Sequence, residues 1–156
     1  MSQVMYQYYE AGLNRNRGVI NLATDPFKLA LLLNTYTPNL DTHTVWADVS
    51  AHEVAAGDGY TAGGASLAGQ SLVRTTWKTK FDANDITFLA ITKTFRYGVL
   101  YVNDTKVFDG NNIIKPLFAY ILFDDTPADV VLTGIDYLVQ WSSLGIGNYG
   151  PLSEFA

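Results

Sequence analysis

The segment Ile86–Tyr101, ITFLAITKTFRYGVLY, is the densest run of β-branched and aromatic residues in a chain of 156. Such side chains suit a pleated, half-buried surface, so the run predicts two strands with a bend near Thr92 and Lys93. Outward from it the same pattern recurs in short pieces between turn signals. Toward the C-terminus, Asn103–Asn112 reads as a polar, glycine-containing loop. Lys115–Phe123 (KPLFAYILF) reads as a buried strand entered through Pro116, a position where proline is tolerated. Asp124–Asp129 reads as a turn, Val130–Trp141 as a last long strand, and Ser142–Ala156, with Gly145, Gly147, Gly150 and Pro151, as a loop-like tail.

Toward the N-terminus, Leu67–Trp77 alternates imperfectly and reads as a strand, while Ala56–Gly64 (AGDGYTAGG) is too rich in glycine for anything but a loop. Thr44–Val54 predicts a short helical turn capped by Asp48 or Ser50, with Glu53 three residues after Ser50 completing a capping box. Phe27–Leu33 (FKLALLL) lies between Asp25-Pro26 and Thr37-Pro38 and has the length of a buried strand. Its leucines and alanine also favour helix, so periodicity leaves a short helix open. The expectation is an all-β fold: one antiparallel β-sandwich domain over 1–156, jelly-roll-like, with one short helix and extended arms at 1–20 and 142–156.

Composition removes several functions. The absence of cysteine excludes disulfides, thiolate metal sites and cysteine nucleophiles. A net charge of −5 with charged residues at only 16% argues against a phosphate-binding surface, so no nucleic-acid partner is expected. No stretch approaches the roughly 20 apolar residues of a membrane-spanning helix. The opening MSQVMYQYYEAG lacks the basic flank and apolar run of a secretory signal, so an origin inside the producing cell is expected. Ten Tyr, eight Phe and three Trp in a sparsely charged chain fit a β core and equally a protein interface. Tyr6, Tyr8 and Tyr9 near one end and Phe155 near the other are the first candidates for contact with a partner. The loop Gly57–Gly64, with Gly59, Tyr60 and Gly63, is the next.

Chemistry is thinly signalled. His43 and His52, with Asp48 and Glu53, could be assembled into a metal site, but the spacing matches no ligand motif. Asp104, Asp109, Asn111 and Asn112 offer oxygen ligands for calcium, yet depart from the EF-hand spacing and read as turn residues. Asp124 and Asp125 are neighbours, and in an extended strand neighbours point to opposite faces, so they make no catalytic pair. Gly57, Gly59, Gly63 and Gly64 lack the lysine and the following helix of a phosphate cradle. No serine stands in a nucleophile elbow. No catalytic residue, metal or cofactor is assigned.

Four segments in order carry a resemblance: FKLALLLNTYTPNLDTH (Phe27–His43), DVSAHEVAAGDGYTAGGASLAGQSL (Asp48–Leu72), FDANDITF (Phe81–Phe88) and FRYGVLYVNDT (Phe95–Thr105). The chain resembles a family of small bacteriophage virion structural proteins over roughly Phe27–Phe123. The resemblance implies a particle component assembled in the bacterial host cytoplasm. The first expectation is a capsid decoration, or cement, protein that binds the major capsid protein and itself, as a homo-oligomer and in a capsid lattice a trimer. A tail or head-fibre component comes second. Outside structural proteins, the rivals are a module binding host-surface glycan through Trp46, Trp77 or Tyr60, and last a glycan hydrolase.

Overall fold

The computed structural model describes residues 3–76, 78–143 and 145–149. In chain order its elements are β1 (Val4–Gln7), α1 (Tyr9–Asn16), β2 (Phe27–Leu32), β3 (Ala65–Ser66), β4 (Ser71–Thr75), β5 (Lys78–Asp82), β6 (Ile86–Ile91) and β7 (Thr94–Phe95). There follow β8 (Tyr97–Val102), β9 (Thr105–Phe108), β10 (Asn111–Ile114), β11 (Leu117–Leu122), β12 (Val130–Val131), β13 (Ile135–Val139) and β14 (Gly147–Tyr149). The protein is all-β with one short α-helix, and every strand pairing is antiparallel. The largest sheet runs β1-β11-β8-β2-β3. Around it lie β14-β5-β4 and the pairs β13-β6, β12-β7 and β10-β9. The described pairings do not by themselves reproduce the two sheets of a jelly roll.

The three apolar stretches that dominate the sequence, in β2, β8 and β11, are neighbours in the large sheet, and both faces of that sheet are covered. Alternation along paired strands sorts their side chains. With Phe27 opposite Val102 and Leu29 opposite Leu100, one face carries Phe27, Leu29, Leu31, Leu100 and Ile121. There the ring of Phe27 lies 5.8 Å from Phe81 of β5 and 5.5 Å from Phe118, and Phe123 meets Phe95 and Tyr137 edge-on. The other face carries Leu32, Tyr97, Val99, Tyr101, Tyr120 and Tyr6. Tyr36 meets Tyr97 edge-on, and Trp46 stacks on Tyr101 with ring centres 4.5 Å apart. One face is thus phenylalanine and aliphatic, the other tyrosine under the chain between β2 and β3.

Several expectations are corrected. The N-terminal residues are not an extended arm: Val4–Gln7 pairs residue by residue with Leu122–Ala119, and Tyr8 and Ala11 are each 1% exposed. Burying those side chains repays the ordering of the segment. The α-helix is Tyr9–Asn16, within the segment read as an arm, while Thr44–Val54 is helical as expected, in two 3-10 turns, Trp46–Asp48 and Ser50–His52. Asn103–Asn112 is not simply a loop: β9 and β10 pair across Asp109 and Gly110, both at positive φ, the geometry of a two-residue hairpin turn. Val130–Trp141 is not one strand but β12 and β13, which pair with different partners. The bend near Thr92 and Lys93 is where expected, between β6 and β7, although the run Ile86–Tyr101 supplies three strand pieces in place of two. The tail prediction is interrupted by β14, which pairs with β5, and residues 150–156 lie outside the described residues.

Candidate functional site

The contact candidates separate by burial. Tyr6 and Tyr9 are 41% and 64% exposed, whereas Tyr8 and Tyr60 are buried and make core contacts. The Tyr8 hydroxyl lies 2.6 Å from that of Tyr36, whose hydroxyl is also 3.0 Å from His43 Nδ1. Burial pushes the Tyr36 phenol up to about 12. Phe155 lies outside the described residues, as does Trp77. Of the three rings considered for sugar stacking, Tyr60 is enclosed against Phe88 and Trp46 is stacked on Tyr101.

The glycine loop is clamped to the sheet. Glu53 accepts hydrogen bonds from the Tyr60 hydroxyl at 2.7 Å and the Gly63 N–H at 2.5 Å, and the Tyr101 hydroxyl donates to the Gly63 carbonyl at 2.7 Å. The Tyr60 hydroxyl also accepts from the Leu31 N–H. A carboxylate already sits where a phosphate cradle would hold its anion. Gly59 and Gly64 press their backbones against Leu89–Ile91 and Leu29, so these glycines serve close packing and Gly63 takes the clamp.

The residues weighed for metal binding are dispersed among other tasks. His43 and His52 flank the Tyr36 ring, and His52 Nδ1 bonds the Thr35 hydroxyl. Glu53 holds the glycine loop. Asp48 accepts the N–H groups of Thr44 and Val45 at 2.8 and 3.0 Å. Asp104 accepts the Thr105 N–H and the Asp109 backbone carbonyl accepts from the Asn111 amide, while Asp124, weighed as one of an acid pair, accepts the Thr126 N–H. Among the described residues no group of three His, Asp or Glu side chains is placed to hold a metal ion.

Burial opposes the charge on Asp48, but the Thr44 and Val45 N–H groups, with His43 and the Thr44 hydroxyl, together hold the carboxyl below its ordinary range. A depressed folded-state value gives stability that is present above the unfolded value of about 3.9 and lost as pH falls through the folded value. Asp48→Ala is therefore expected to cost about 1 kcal/mol at neutral pH. The gap from the parent should close below about pH 4 in urea titrations at a series of pH values. A gap that persists at pH 2 would contradict this account.

Among the described residues, no strand lies beside β1 at that edge of the large sheet. Tyr6 stacks on Tyr120 with ring centres 5.0 Å apart at 23°. Tyr9 and Leu13, one helical turn apart, are exposed beside them on the helix that follows β1. On the opposite face of β1, Met5 and Gln7 help to line a cleft of about 190 Å³, completed by Phe118, Ala119, Ile146, Gly147 and Tyr149. Sequence reading found Tyr6 and Tyr9 but missed Met5, Gln7, Leu13 and Tyr120. The i, i+2 spacing of Tyr6 and Tyr8 was the signal that this segment is a strand. Comparison with family models, curated proteins and solved structures found no match. The class the structure defines is an antiparallel all-β protein.

Proposed function

We propose that this protein is a structural component of a bacteriophage virion, first of all a capsid decoration protein that holds to the major capsid protein and to copies of itself. The observation that supports this reading is its surface. With only 16% charged residues, it exposes Leu89, Val131, Ile135 and Leu138 on β6, β12 and β13, at 52–69% each, and Val107 and Ile114 on the β9–β10 hairpin at 63% and 60%. Large apolar side chains exposed on a lightly charged surface suit protein contacts.

In this role the protein acts by mass action. It binds the assembled lattice in preference to free subunits and so stabilises the lattice, and several contacts per oligomer multiply the effect. The test is mass spectrometry of separated heads and tails, followed by cryo-electron microscopy of the fraction that contains the chain. Many copies on the head shell are the expected result. Confinement to tails would replace decoration by a tail or head-fibre role, and absence from particles would overturn the proposal.

A further inference from the structure

We propose that the outer edge of β1, with the cleft beneath it, is a docking site for an extended peptide segment of a partner protein, one that carries an acidic and an apolar side chain two residues apart. The proposal stands apart from the virion reading.

The two edges of the large sheet differ. Along β2 the border is closed: Lys28 and Leu29 pair with Ser66 and Ala65, the Val54 N–H donates to the Leu31 carbonyl, and Leu32 bridges to Glu53. Along β1 no described strand takes the outer backbone groups. Natural edges are blunted by charge, proline or a bulge. Val4-Met5-Tyr6-Gln7 carries neither charge nor proline, and its pairing with β11 runs without a register shift. Such an edge accepts an added strand: backbone bonds supply affinity, and pockets for alternate side chains supply selectivity.

Both pockets are present. Side chains of an added strand that point to the tyrosine face meet Tyr6, which is exposed and stacked on the half-buried Tyr120. Those on the other face enter the cleft, whose walls at Met5, Phe118, Ala119 and Ile146 are apolar. Its volume of about 190 Å³ is roughly six water molecules' share of liquid, enough for one side chain.

The charge preference comes from Arg15. Its guanidinium lies 3.6 Å from the centre of the ring of Tyr149, a residue of the cleft wall, and the Gln7 amide on the same wall reaches Gly12, one turn before Arg15. Arg17 is paired with Glu10, but Arg15 has no acidic partner among the described residues. Among the described residues its Nε is buried without a hydrogen-bond acceptor, and the Tyr149 hydroxyl is buried beside the guanidinium. A guanidinium without a carboxylate partner next to an apolar cleft is complementary to a carboxylate on a short aliphatic stem.

The test uses the full chain and fluorescein-labelled hexapeptides with leucine and glutamate two residues apart among serine and threonine, made in both chain directions, and the same peptides with lysine for glutamate. At least one glutamate peptide is expected to bind ten-fold or more tightly than its lysine counterpart and to slow amide exchange at Val4–Gln7. Arg15→Glu should invert the preference. If circular dichroism shows that variant misfolded, Arg15→Gln should abolish the discrimination instead. Failure of every peptide to bind, equal binding of both charges, or a preference indifferent to Arg15 would overturn the proposal. A dimer in sedimentation that the peptides do not dissociate, with β1 protected in their absence, would assign the edge to a second copy and overturn it as well.

Discussion

Replacing Lys106 by methionine is expected to destabilise the protein by about 3–5 kcal/mol, the loss typical when one member of a buried ion pair is removed. Asp25, just before β2, is 5% exposed. One carboxylate oxygen accepts the Asn21 N–H at 2.8 Å and the other meets Lys106 Nζ at 2.5 Å. Methionine matches the lysine stem in length and keeps its packing, but leaves a buried carboxylate with a single donor. The pair also ties the β9–β10 hairpin to the body, because Lys106 lies on β9. Urea unfolding should show a lowered midpoint for Lys106→Met. The double variant Asp25→Asn, Lys106→Met should recover most of the loss, since no charge is then stranded. A single variant within 1 kcal/mol of the parent would show that the pair is not desolvated as its burial implies.

Gly64→Ala should be comparably severe, at about 3 kcal/mol or more, from an ordinary-looking loop glycine. Gly64 has φ +86, where an L side chain is strained, and a Cβ there would lie 2.0 Å from the Leu29 carbonyl oxygen and 2.7 Å from the Ala30 Cα. Those atoms are backbone in the large sheet and cannot rotate aside, so the loop would have to lift from β2. Lifting it pulls on the Gly63 N–H to Glu53 bond. Gly110→Ala is the comparison: φ is +75 there too, but nothing lies within 4 Å, so only the conformational cost of about 1–2 kcal/mol is expected. Thermal denaturation of the two variants separates clash from strain. Equal losses would show that the loop yields freely.

The large sheet was largely legible. FKLALLL, FRYGVLY and KPLFAYILF are apolar runs of strand length, and they became β2, β8 and β11, because a strand covered on both faces needs apolar residues at every position. The β9–β10 hairpin was not read as one: Asp109-Gly110 is its turn signal, but the polar residues around it read as loop. The helix was not legible. Tyr9–Asn16 contains Gly12, Asn14 and Asn16, all poor helix formers, and it holds because Tyr8 and Ala11 pack against the body. Of the contact candidates, Tyr6 and Tyr8 read alike, and only pairing with β11 shows that Tyr6 lies at the rim and Tyr8 beneath the chain that covers the tyrosine face.

By itself the sequence determined the strand-forming stretches, the glycine loop, the all-β class and the absence of cysteine chemistry. Each follows from side-chain character and local backbone freedom. Tertiary structure alone decided which sheet edge stays open, which tyrosines reach the surface, and that Arg15 is left without a carboxylate among the described residues while Lys106 finds Asp25. These outcomes depend on contacts between residues far apart in the chain, 81 positions for Asp25 and Lys106 and more for the pairing of Val4 with Leu122. Local propensity carries no information about such pairs.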